Sequence, residues 1–316
     1  MGQMTNPSRT YKGVWVMKLI MAYLVVAIHT TDWSLMGLLD TAVPFFFLAS
    51  GFFLFRKLGG ERDADLGVIR QWTGKALRLY LVWTAVYLPF TVVGMVQDGL
   101  SLKMALALFL RNLVFVGENF LSWPLWYLLA LVWGGVLIWL LRLLKVPVWG
   151  MFLAGVGLFL LWDVTDFGTI PLVERIFRTG RNGIFFGLMF LAAGGLLWQW
   201  VSRGPLVMKP LLWDLALTGV SFVLYQWNHY FLLPLAAGLF LLAVRIDLPA
   251  LSERTARRIG GISKYIYLTH MIFAGLAILL LHMQAGWLLW ALSALCATLL
   301  SLALTRERGN LKLGKA

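Results

Sequence analysis

Cysteine, acid and charge are all scarce. A single cysteine, Cys296, in 316 residues excludes an intramolecular disulfide, and its apolar surroundings argue for packing over a thiol metal site. The four histidines include no His-x-x-x-His pair, and no carboxylate pair or Cys cluster stands at metal-ligand spacing, so no metal is expected. The short "LGGER" and "IGGIS" turns lack the Lys-Ser/Thr that a phosphate-binding loop of the Walker type requires. No internal repeat, low-complexity tract or pair of inverted Gly-broken spans is present. Charged residues make up only 13% of the chain, about half the roughly 25% of an ordinary soluble domain.

What fills the chain instead is apolar: 60% hydrophobic residues and a mean hydropathy of +0.81. The reading is an all-α, polytopic membrane protein, a single membrane domain over 1–316. The net charge of +13 does not point to nucleic acid, because the basic residues sit in the gaps between apolar runs and report topology. Ten segments are long enough to cross a bilayer, two of them short ones bounded by Pro or Gly. They fall at 14–34, 41–55, 77–96, 124–143, 147–163, 183–201, 211–226, 230–245, 263–282 and 286–304. The first lacks a small-residue cleavage site and is retained as a span. A further run, 103–117, contains Arg111 and reads as an interfacial or half-entering helix.

Lys and Arg should collect on the cytosolic side. With both termini cytosolic, only Lys103, Arg111, Arg175, Arg178 and Arg181 fall in outer loops. Counting 103–117 as a crossing would invert every later loop, so ten transmembrane helices are expected, in a multi-pass protein of a bacterial-type plasma (inner) membrane.

Within the first span, "MKLIMAYLVVAIHT" carries Lys18 and His29 eleven residues apart, nearly a whole number of turns and roughly 16.5 Å along the axis. They share a face, with small Ala22 and Val25 between them leaving room for something slender. Lys18 can snorkel to the cytosolic interface. An ionisable group inside a span is a functional hypothesis by default, and a neutral imidazole can accept a proton. The plainer reading gives His29 an interhelical hydrogen bond and Lys18 an orientation role.

The Lys-x10-His pair resembles the Arg-x10-His signature of the acyltransferase-3 family, integral membrane enzymes that move acyl groups from acyl-CoA to extracytoplasmic glycans and related acceptors. Further segments follow in family order: "VPFFFLASGFFLFRK" resembles the Phe-Phe-x3-Ser-Gly motif, "KALRLYLVWTAVYLP" the basic-x-x-Arg motif, and "WPLWYLLAL" the Trp-Tyr-Leu segment. "RNGIFFGLMFLAAGGLL" and "ISKYIYLTHMIF" are similar to the sixth and ninth helices. Lys18 and Lys75 stand where better-known members carry Arg; lysine keeps the charge and loses the bidentate fork. That departure suggests the compact members without a hydrolase-like domain, among which serine-racemase-linked relatives are associated with transport.

The resemblance implies a mechanism. Lys18, Lys75 and Arg78 would hold the phosphates of acyl-CoA, with acetyl-CoA the expected donor. The pantetheine arm would run along the Lys18–His29 face, and His29 would act as general base or acyl carrier toward an acceptor from outside. Asp32, three residues on, orients the ring or is simply solvated. Ser50 and Gly51 read as close helix packing, with Ser50 also a supporting residue behind the site. Arg181 and Asn182 bind an anionic or sugar acceptor, or Arg181 closes a salt bridge to Glu174 or Asp166. Trp126 and Tyr127 stack on a sugar or belong to the interfacial belt. His270 stands where the ninth helix of family members often has histidine, with a span-packing hydrogen bond the plainer reading, and His229 and His282 read as interfacial. The expected partners are membrane lipids, acyl-CoA and a cell-envelope glycan or lipid-linked acceptor. The alternative is a transporter of a small polar solute or lipid-linked intermediate, with His29 and the buried cations lining its path.

Overall fold

A computed structural model describes residues 10–33, 35–203 and 208–313. Arg9 and Lys315, expected on the cytosolic side, lie outside them. The described residues form helices throughout, with no strand among them. In a chain this apolar the backbone must satisfy its own hydrogen bonds, which a helix does within each segment. Six helices are long and apolar enough to cross a membrane, and four shorter apolar helices, Leu39–Phe55, Val148–Asp163, Leu211–Tyr225 and His229–Arg245, coincide with four more of the expected segments. The chain divides into two compact units, Met1–Phe46 with Arg203–Ala316, and Phe47–Ser202.

In the first unit, α1 (Lys12–Thr30) packs against α10 (Leu232–Arg245), α11 (Glu253–Leu281) and α12 (Trp287–Leu313). The approaches are close where side chains vanish. Gly13 lies on the backbone of Ala243 and Ile246, and Gly260 of α11 lies against the Trp15 ring. Polar groups close the α1–α12 seam: Tyr23 and Thr298 share a 2.9 Å hydrogen bond, Trp290 Nε1 donates to the Tyr23 carbonyl at 3.3 Å, and Gly286 N donates to the Thr30 carbonyl at 2.8 Å. On α9 (Met208–Tyr225), Asp214 is 1% exposed and is ion-paired with Arg245 of α10. A buried carboxylate is tolerable only when matched in this way.

The second unit holds most of α2 (Ala42–Phe55), α3 (Arg62–Gln97), α4 (Leu102–Arg111), α5 (Leu125–Leu143), α6 (Val148–Asp163), the short α7 (Pro171–Phe177) and α8 (Leu188–Arg203). Residues 62–76, ahead of the expected span at 77–96, are helical as well. Between Arg62 and Gln97 the only strong helix breakers are Gly67, Gly74, Gly94 and Pro89, and α3 runs unbroken for 36 residues, roughly 54 Å. Its first turn is anchored by Asp65, which accepts from Gly59 N at 2.9 Å and pairs with Arg142 at 2.6 Å. The 103–117 run becomes α4 followed by a π-helical turn, Asn112–Val116. A second π-turn, Gly183–Gly187, opens α8.

Candidate active site

Two histidines meet in the first unit. His29, at the end of α1, keeps partial exposure, whereas His270 in the middle of α11 has none. Their ring centroids stand 5.4 Å apart with planes inclined by 25°, within the range of offset aromatic packing. His270 Nδ1 lies 2.9 Å from the Tyr267 carbonyl and 3.2 Å from that of Ile266. A carbonyl only accepts, so Nδ1 carries the proton and donates. In the neutral ring that leaves a lone pair on Nε2, at the far end from the α11 backbone, and Nε2 is buried without a hydrogen-bond partner.

The cationic end of α1 is also built with α11. Lys18 Nζ stands 5.0 Å from the Trp15 ring centroid and 5.9 Å from that of Phe46, and Lys264 of α11 is near enough for its charge to act on Lys18. Lys264 Nζ itself lies 4.3 Å from the Tyr265 ring. The face between Lys18 and His29 differs from the expectation: Ala22 and Val25 are 0% and 1% exposed. Their small size is used for close helix packing, so no open groove follows that stripe. Asp32 lies beyond the helix, because α1 stops at Thr30 and Thr31 turns to extended backbone. Asp32 is exposed, and the shared helix face expected for it does not exist.

In the second unit, Lys75 and Arg78 stand three apart on α3, a spacing that shares a face, and both are exposed. Ser50 and the Tyr127 hydroxyl are 2.9 Å apart. Tyr127 is 7% exposed, with Phe47 edge-on at 4.7 Å, so its ring face is occupied by protein. Trp126 is half-buried beside Phe47 and Phe186.

Asn182 is 3% exposed, and its amide starts the second π-turn: Oδ1 accepts from Ile184 N and Phe185 N at 3.0 Å, and Nδ2 donates to the Thr179 carbonyl at 2.9 Å. Arg181 is exposed, and among the described residues it forms no ion pair with Glu174 or Asp166. Burial pushes the Glu118 carboxyl up, against the opposing pull of Arg178 and then Arg181. Arg111 donates to Asn112 Oδ1 at 2.8 Å and 3.0 Å.

The structure therefore brings Lys18, Lys264, His29 and His270 onto α1 and α11 of one unit. Lys264 escaped the sequence reading as a site residue, and His270 stood there only as a weaker candidate. The signal was present, since "ISKYIYLTHMIF" repeats the combination of a lysine and a histidine in one apolar run. Among the described residues no group of His, Cys, Asp and Glu could hold a metal ion.

Several helices apolar and long enough to cross a membrane point to a membrane protein. The family model described as "Acyltransferase domain" matches residues 11–306, and the chain belongs to that family, acyltransferase-3. The chain is also similar to a protein named "Serine/alanine racemase" from Enterococcus gallinarum, 28% identical over 288 residues, covering 82% of this chain and 40% of the relative. An "Amino-acid racemase" from Enterococcus faecalis is 25% identical over 293 residues with the same shares. The chain thus spans 40% of the length of these relatives. No solved structure matches it.

Proposed function

We propose that this protein transfers an acyl group, acetyl in the first instance, from cytosolic acyl-CoA to a hydroxyl of an extracytoplasmic cell-envelope glycan or its lipid-linked precursor. It does so as a ten-span, single-domain protein of the inner membrane with both termini cytosolic. His29 is the reacting imidazole. The observation that carries this is its position: a partly accessible histidine at the end of an apolar helix, beside a second buried imidazole and about three helical turns from Lys18.

Lys18 and Lys264 attract the coenzyme A phosphates as point charges over an aromatic floor; Lys75 and Arg78, on their own helix α3, are two exposed cations of the kind that binds phosphate. His29 takes the proton of the acceptor hydroxyl as its oxygen attacks the thioester carbonyl, or first carries the acyl group itself. Arg181 and the neighbouring arginines give the outer loops a cationic character suited to a polar or anionic acceptor.

The test is labelled-acetyl transfer from acetyl-CoA to a cell-envelope fraction, run beside a detergent melting curve, for the parent and for His29→Ala and His29→Gln. Removing a positioned base costs roughly 100-fold or more, so both variants should melt near the parent and lose transfer. Full transfer by His29→Gln would end the catalytic role, because the amide preserves a packing hydrogen bond and nothing else.

A second reading is transport of a small polar solute, for which the amino acids in the relatives' names are the candidates to test. Under that reading the parent would move a labelled amino acid into vesicles and transfer no acyl group.

A further inference from the structure

The buried lone pair of His270 has no role in packing. A histidine that only braced α11 would need its Nδ1–H on the Ile266 and Tyr267 carbonyls, and an apolar ring edge would serve better at the other end. Instead a nitrogen sits there, fully buried and unpartnered, which disfavours the folded state because a buried polar group loses its water without gaining a partner. The side chain packed beside it across the α1–α11 seam is His29. Catalytic hydrogen bonds are often loose without substrate and tighten in the reacting complex.

We propose that His270 is the positioning partner of His29: its Nε2 accepts the ring N–H of His29 when substrate is bound, which fixes the His29 tautomer with the opposite nitrogen presented as a lone pair to the reacting groups. The inference rests on the acyl-transfer reading. In the direct form of the reaction, the acceptor oxygen forms its bond to the thioester carbon while the C–S bond breaks and its electron pair leaves on sulfur. The acceptor's proton passes to the unprotonated nitrogen of His29. The imidazolium so formed donates its other N–H to His270 Nε2, and the proton then moves to the thiolate, giving coenzyme A thiol and restoring both rings. The role corresponds to that of any group that holds a catalytic imidazole in one tautomer, with a neutral ring used where a carboxylate would carry a full charge into the apolar interior.

The two nitrogens of His270 are separable by substitution. His270→Asn keeps a donor where Nδ1 stands and removes the Nε2 acceptor; His270→Gln places an amide oxygen near the Nε2 position. Labelled-acetyl transfer from acetyl-CoA to a cell-envelope fraction is measured with the full chain in both variants, with melting curves and with the KM for acetyl-CoA separated from kcat. The expected result is a kcat lower by about 10- to 100-fold in His270→Asn, the usual cost of losing a partner that orients a histidine. KM and melting should stay near those of the parent, and His270→Gln should retain most of its rate. A purely structural His270 gives the reverse order, with the Asn variant active and the Gln variant unstable, and that result overturns the proposal. Should His270→Asn fail to fold, a folded but inactive His270→Gln overturns it and a folded, active one supports it. Transfer by the parent with an unchanged Asn variant refutes only the histidine pair, whereas a parent that transfers nothing removes the acyl-transfer reading and the pair together.

Discussion

Gly51 of α2 and Gly194 of α8 are the points at which the second unit's packing is most sensitive to one carbon atom. A Cβ added at Gly51 would fall on the carbonyl, carbonyl carbon and Cα of Leu191, and one added at Gly194 would fall on the Leu48 carbonyl and Phe52 N. In both cases the obstacle is backbone, which cannot rotate away as a side chain can. Two effects oppose each other in Gly51→Ala. Alanine favours the helix by about 1 kcal/mol over glycine. Forcing apart a well-packed contact costs about 1–3 kcal/mol, and a backbone clash belongs at the upper end. Overpacking therefore wins by about 2 kcal/mol, and the melting temperature should fall by about 4–8 °C.

Gly67 on α3 supplies the control, because a Cβ there meets nothing within 4 Å. Gly67→Ala should melt at or above the parent. Gly51→Ala with Gly194→Ala should lose less than the sum of the two, since once α2 and α8 have separated for one methyl the second is partly accommodated. The assay is thermal unfolding in detergent with an intrinsic tryptophan readout. A Gly51→Ala protein that melts with or above the parent while Gly67→Ala gains stability would show that close approach of α2 to α8 is not what Gly51 provides.

Lys75→Ala and Arg78→Ala should weaken coenzyme A binding in a salt-sensitive way while Lys75→Arg retains most of it; unchanged calorimetric affinity in both alanine variants removes these cations from the donor site. Glu118 is held above the usual carboxylate range by burial, so the stability it contributes is present at acidic pH and lost as pH rises through its folded value. Glu118→Gln should thus match the parent near about pH 4 and melt higher near about pH 8; equal melting at both values refutes the buried-carboxyl argument. A cysteine-reactive label at Thr169→Cys in a Cys296→Ser background should react only from outside the cell, and labelling from the cytosol would sink the ten-span topology.

The helices and the class of protein were legible in the sequence because a bilayer imposes length and hydropathy on each segment independently of its neighbours. Lys18 and His29 were legible for the same local reason, since helix periodicity alone sets two residues eleven apart on one face. The residues that needed the tertiary structure are those defined by contacts across segments. His270 stands 241 positions from His29 in the chain and meets it only because α11 packs on α1 through Gly260. Asn182 reads as an outer polar residue, yet its amide is committed to starting a helix. Asp32 reads as a helical neighbour of His29, yet α1 ends two residues before it. Ala22 and Val25 read as empty space, and their smallness turned out to be what a neighbouring helix fills. Periodicity reports which side chains share a face; only packing decides what that face meets, because a small residue is equally consistent with a groove and with a close approach.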